Sequence, residues 1–132
     1  MITISPIDPP ELPRSPVFAA GMLTTGGSIV WIGGQNGIGP DGVIPDDLTQ
    51  ESRVATENLL AVLAEAGGAI EHLVSVTIHF VAGLDLNEAF AGAGPVLAGH
   101  RCAVVALGVV ALARPDAHLE ISGIGVVPDL VP

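Results

Sequence analysis

The chain has no lysine and no tyrosine, and only one cysteine and one tryptophan. Each shortage excludes something. Four arginines against fourteen acids leave a formal charge of −10. A phosphate backbone is repelled by that balance, so no nucleic-acid partner is expected. An anionic membrane surface is disfavoured for the same reason, and no membrane partner is expected either. One Trp and three Phe offer little on which bases would stack. Cys102 stands alone and forms no internal disulfide. At the head of an apolar run it reads as a buried, inert thiol. The four histidines are far apart, and CxxC, HxH and HExxH are all missing, so no metal site is expected. A GxSxG elbow and a Gly-Lys-Ser/Thr phosphate loop are missing too, and no cofactor is expected. Gly37 to Gly42 matches GxGxxG literally. Val43-Ile44-Pro45 follows, however, where that motif needs the start of a helix, so Pro40-Asp41-Gly42 reads as a tight turn. The longest uncharged apolar run, Cys102 to Ala113, falls short of the roughly 20 residues a bilayer span needs. No basic segment leads into an apolar core at the N-terminus. A cytoplasmic protein is the resulting expectation.

What is present is apolar. Hydrophobic residues make up 49% of 132, enough for one core and one domain. Met1 to Pro16 holds Pro6, Pro9, Pro10, Pro13 and Pro16. It predicts an irregular N-terminal arm, with a single domain over 17–132. Val17–Leu23 and Ile29–Ile32 read as strands, with Thr24–Ser28 as a hairpin turn between them. A helix is predicted from Asp47, with Gln50 at capping-box spacing, to Gly67-Gly68. Ala55, Leu59, Val62, Leu63 and Ala66 form its apolar stripe, and Glu51, Arg53, Glu57 and Glu65 lie mostly elsewhere. In the strand His72–Val81, Val74, Val76, Ile78 and Phe80 share one face; Ser75, Thr77 and His79 share the other. His79 reads as a solvated or hydrogen-bonded side chain. Leu86–Leu97 is a second helix capped by Asp85 or Asn87. Gly92, Gly94 and Pro95 predict that it is short or broken.

Two apolar runs close the chain, Ala103–Ala113 and Leu119–Val127. Arg114-Pro115-Asp116-Ala117 between them predicts a hairpin. The expected architecture is α+β: a mostly antiparallel sheet with two helices on one face. Ala103–Ala113 is apolar on both faces, so two helices leave one face bare, and a second copy of the chain is the simplest cover. A homo-oligomer follows. Glu120 is the one ionisable residue of the last run, and therefore a candidate site residue.

Several segments together resemble the RidA/YjgF family over Pro16 to Val127. They are Val30-Trp-Ile-Gly-Gly-Gln-Asn36, Asp41-Gly42, Asn58-Leu59-Leu60 through Ala66-Gly67, Val74-Ser-Val-Thr-Ile-His-Phe80 and Ala113-Arg-Pro-Asp-Ala-His-Leu-Glu-Ile121. The resemblance implies a chorismate-mutase-like fold and a homotrimer with its sheets packed at the centre. It also implies ligand clefts between subunits and hydrolysis of reactive enamines and imines to keto acids and ammonia. It keeps Glu120, the acid that positions water. Elsewhere the chain departs from the family pattern. Val104 stands at the arginine that would hold a substrate carboxylate. Arg101 is the only nearby substitute, roughly 10 Å away along a strand and turned to the other face. Val17 falls on the family's cleft tyrosine, and Gly33 on the serine of its Ser-Gly-Gln motif, beside Gln35.

Two functions follow. In the first, Glu120 is catalytic and backbone amides near Gly33 and Ala106 hold a small imine or enamine that lacks a carboxylate. In the second, a trimeric small-molecule binding protein without chemistry has an apolar cleft lined by Val17, Val104 and Ala106, and Glu120 anchors a polar group. RNA cleavage, attached to some relatives, is disfavoured by the charge.

Overall fold

The computed structural model describes residues 1–129. The last three residues of the expected 17–132 domain lie outside the described residues. Six strands and two α-helices follow in the order β1 (Thr3–Ile7), β2 (Gly21–Thr25), β3 (Ser28–Gln35), α1 (Leu48–Glu65), β4 (Leu73–Val81), α2 (Leu86–Leu97), β5 (Ala103–Val109) and β6 (Leu119–Val127). A single 3-10 turn, Ile70–His72, leads into β4. The fold class is α+β, as expected.

The helix α1 starts where the Asp47 carboxylate accepts the Thr49 amide at 3.1 Å, satisfying one of the free amides of the first turn. Gln50 does not complete a capping box; its Oε1 accepts from Arg53 Nε and Nη2 at 2.9 and 2.7 Å. The helix ends at Ala66, just ahead of Gly67-Gly68. Ala55, Leu59 and Leu63 are fully buried where α1 packs on β3 and β6. Ile32, Leu73, Val76, Leu119, Ile121 and Val127 supply the sheet side of this core. Alternation along β4 and β6 aims these residues at the helices and leaves Ser75, Thr77 and His79, with Glu120, Ser122 and Ile124, on the other face. Glu51 departs from expectation. It is fully buried, on the stripe rather than off it.

The second helix is not broken. It runs without interruption through Gly92, Gly94 and Pro95, capped by Asp85, whose carboxylate accepts the Asn87 amide at 2.9 Å. The reason lies in its neighbour. Thr49 and Ser52 of α1 donate their hydroxyls to the Glu88 and Ala89 carbonyls at 2.9 and 2.7 Å. That draws the helices together at Gly92. A β-carbon there would lie 2.9 Å from the Arg53 backbone nitrogen and inside contact with the Thr49 carbonyl. Gly92→Ala is therefore expected to destabilise the protein. Alanine gains about 1 kcal/mol of helix propensity, but overpacking costs about 1–3 kcal/mol, and backbone atoms cannot rotate away. Thermal unfolding should show a lower midpoint; an unchanged or raised one would mean that the helices slide apart freely.

The sheet corrects the strand pairing. Its order is β3-β6-β4-β5. β6 runs antiparallel to both neighbours, while β5 lies parallel to β4 on the edge. The expected hairpin of the last two runs does not form, because β4 lies between them. The turn itself is present, closed by the Ala117 amide on the Arg114 carbonyl at 3.2 Å, but it ends a long connection across β4. Strand β5 follows β4 through α2, and a helical crossover is what parallel neighbours require. The strand also stops at Val109, short of Ala113.

Two more expectations change at the N-terminus. The arm is not wholly irregular: Thr3–Ile7 pairs antiparallel with β2 as a separate two-stranded sheet. Pro6 is tolerated because β1 is an edge strand. The predicted first strand begins later, at Gly21, with only Ala19 bridging to Ala103 before it. Thr24–Ser28 consequently links two sheets and closes no hairpin. On the face without helices, Ile29, Trp31, Val105 and Leu107 stay exposed, Trp31 by 73%. Within one chain, β5 is thus not covered on both sides.

Candidate functional site

Glu120 sits in β6 between Leu119 and Ile121, which are buried beneath the helices, so its side chain rises from the opposite, open face. His79 of β4 is its direct partner across the strands. On the other side, β3 is irregular between Ile32 and Gln35, where Gly33 and Gly34 form a bulge. The Glu120 carboxylate lies over this bulge: a β-carbon on Gly34 would come within 2.5 Å of its carboxyl carbon. Bulges of this kind re-aim neighbouring side chains. Gly33 has open space above it. Gln35 stands opposite Ile121, and its Nε2 folds back to the Gly33 carbonyl at 3.1 Å. Glu120 is half-buried.

Gly34→Ala follows as a test of this geometry. The clash is with the flexible end of a side chain, so the stability cost should be small, about 1 kcal/mol or less. Glu120 must swing away, and whatever Glu120 does should be lost with it. Retained function in a folded variant would separate Glu120 from the bulge.

A second framework, which the sequence reading missed, holds this corner in place. The buried Glu51 carboxylate accepts the His118 amide at 2.7 Å and pairs with His118 Nδ1 at 2.8 Å. That fixes the chain two residues before Glu120. Asn58 Nδ2 donates to the Asn36 and Ile38 carbonyls at 3.1 and 3.0 Å, and Asn36 Nδ2 to the Leu119 carbonyl at 3.3 Å. These bonds tie the segment after the bulge to α1 and β6. The signal was available: Glu51, Ala55, Leu59 and Leu63 are spaced by four.

Val17, Val104 and Ala106 lie on the other side of the sheet. Val104 and Ala106 pair with Val76 and Ile78 and face the helices. Val17 and Val104 line a cavity of about 240 Å³ between α2, the sheet and the end of the arm. Ala106 lines the neighbouring, smaller space under α2. Cys102 borders the larger cavity, and burial pushes its thiol up to about 11, as expected of an inert thiol.

Arg101 faces neither half. Its guanidinium donates to both Asp8 carboxylate oxygens at 2.7 and 3.0 Å, and to the Ser15 and Phe18 carbonyls at 3.1 and 2.7 Å. It holds the arm. These bonds keep the Asp8 carboxyl below its ordinary value and raise Arg101 above its own. A lowered carboxyl contributes to binding of the arm at neutral pH and loses that contribution as pH falls through the lowered value. Protection of the β1 amides, relative to their intrinsic exchange rate at each pH, should therefore fall below about pH 4 while β4 stays protected. Asp8→Asn should show the fast exchange already at pH 7. Slow exchange there would mean that β2 holds the arm alone.

Among the described residues, no group of His, Cys, Asp and Glu is arranged to hold a metal ion, and no helix is long and apolar enough to cross a membrane.

Residues 18–127 match a family model described as "Endoribonuclease L-PSP". Solved structures that align with the chain carry the Rid and YjgF names. The chain belongs to the RidA/YjgF family. A Rid-family protein of unknown function, YyfB from Yersinia pestis, superposes with a TM-score of 0.82 at 24% identity, over 94% of this chain and 98% of that one. The YjgF gene product of E. coli gives 0.69 at 23% identity, over 76% and 81%. TdcF of E. coli, solved with bound serine, gives 0.64 at 25% identity, over 86% and 96%. A search of curated proteins finds no match. In this Rid protein Glu120 stands on the open face of the sheet, and Val17 and Val104 line the cavity under α2.

Proposed function

We propose that this Rid protein hydrolyses a small imine or enamine that lacks a carboxylate, with Glu120 orienting and activating water. The observation that supports it is the state of Glu120. Its carboxylate is half-buried on the open face of the sheet, and it lies over the Gly34 backbone with no hydrogen-bond partner among the described residues. That leaves its oxygens free for water. The substrate class rests on the other half. Val104 offers no cation, and four bonds to the arm occupy Arg101. TdcF holds serine, a ligand with a carboxylate, and the cleft proposed here has nothing to grip one.

Within one chain, the sheet separates Glu120 from the apolar cavity. The proposal therefore includes a homotrimer, with the two halves of each cleft supplied by different copies across the exposed apolar face. Light scattering should give the mass of three 13.3 kDa chains; a monomer would remove the cleft.

The activity is tested with imines generated in situ. An amine oxidase supplies an imine without a carboxylate, and a dehydratase supplies 2-aminoacrylate. Carbonyl release should accelerate with the first and not with the second. Acceleration of 2-aminoacrylate would overturn the substrate class. Acceleration of neither would favour the second reading, a small-molecule binding protein, for which the mostly apolar lining around Val104 speaks.

A further inference from the structure

We infer that the cavity beneath α2 is a binding site for an uncharged, compact apolar group, and that the N-terminal arm, clasped by Asp8 and Arg101, forms one wall of it. The inference rests on reading this cavity as the ligand end of the proposed cleft, but on no chemistry at Glu120.

The cavity encloses about 240 Å³. A dry apolar cavity of about 150 Å³ is enough to take up benzene, so this one has room for a ring with a short substituent. Of the side chains around it, only His100 is polar, and its Nε2 is engaged by the Leu73 carbonyl at 2.7 Å. An ionised ligand would lose its hydration there and gain no partner. Val76, Cys102 and Ile121 form a closed floor, each at most 2% exposed, while Val17 and Phe90 stand 54% and 42% exposed at the rim. A buried floor below an accessible apolar rim is the form of a ligand pocket.

The wall depends on the clasp. Pro16, Val17 and Phe18 close one side of the cavity. Arg101 grips the chain on both sides of Val17, through the Ser15 and Phe18 carbonyls, and Asp8 supplies the countercharge. The pair is largely shielded, with 15% and 17% of the two side chains exposed. An arginine in place to hold a ligand's carboxylate would be free of such partners. Here it holds protein, and its product is a shaped apolar wall.

The test uses the full chain, with Glu120→Gln as background so that turnover plays no part. Toluene and benzoate, nearly equal in size and different in charge, are titrated by NMR. Saturable shifts with toluene and none with benzoate are expected. Asp8→Asn and Phe18→Ala should each weaken toluene binding by about tenfold, the consequence of losing one well-packed apolar contact or its support. Val104→Arg should reverse the preference toward benzoate. No saturation with toluene would overturn the site, and equal binding of benzoate would overturn the uncharged class. Unchanged toluene affinity in a folded Phe18→Ala would overturn the arm as wall. Because neither toluene nor benzoate has a C=N bond to hydrolyse, failure here leaves the Glu120 reading untouched, and failure of the hydrolase assay leaves this site standing.

Discussion

Glu120→Gln is expected to lower imine hydrolysis by about 10²–10⁴-fold, the contribution of a positioned proton acceptor, with little change in stability. The two outcomes separate because of where Glu120 sits. It rises from the sheet face without helices, and its carboxylate serves no hydrogen bond within the protein among the described residues. Glutamine fills the same volume over the Gly33–Gly34 bulge. It can orient water through its carbonyl, but it cannot take a proton. The loss should therefore fall on kcat, with KM changed little, because the apolar contacts around Val17 and Val104 are untouched. Steady-state rates with the neutral imine, measured beside thermal unfolding, decide it. A variant with full activity would remove Glu120 from the chemistry. A variant with a much lower unfolding midpoint would make it a structural residue instead.

Glu51→Ala is expected to be strongly destabilising, by about 3–5 kcal/mol. Two hydrogen bonds that join Glu51 to His118 are lost, each worth about 0.5–1.5 kcal/mol. A fully buried side chain is emptied as well, which leaves a cavity between α1 and the approach to β6. Of a total stability of about 5–15 kcal/mol, that is a large share. Denaturant unfolding should show the loss as a lower midpoint with a similar slope. Glu51→Gln should retain part of the stability, because its carbonyl still accepts one of the two donors. If Glu51→Ala proves nearly neutral, His118 is held by solvent and the Glu120 corner by other bonds. A second effect follows from position: His118 is two residues from Glu120, so the glutamine variant should show reduced activity even where it remains folded.

Family membership and most of the secondary-structure elements were legible because they are local. Apolar residues at spacings of three and four give α1, with Asp47 in front and Gly67-Gly68 behind. Alternation gives β4. The segments around Trp31, Asn58 and Glu120 carry the family pattern, and Glu120 stands out as the one acid in an apolar run. Strand pairing was not legible. Periodicity states which residues share a face, never which strands are neighbours, and the turn at Arg114–Ala117 is local chemistry that serves a hairpin or a long crossing equally well. Gly92 and Pro95 read as helix damage because propensity does not see α1 lying against that surface. Glu51 read as lying off the apolar stripe because its partner, His118, lies 67 residues away in sequence. Arg101 read as a spare cation for the same reason, since Asp8 is 93 residues distant. The chain's own order of residues determined the charge, the family and most of the elements. Only the tertiary structure decided what each charged group faces, because burial and ion pairing join residues that the sequence keeps far apart.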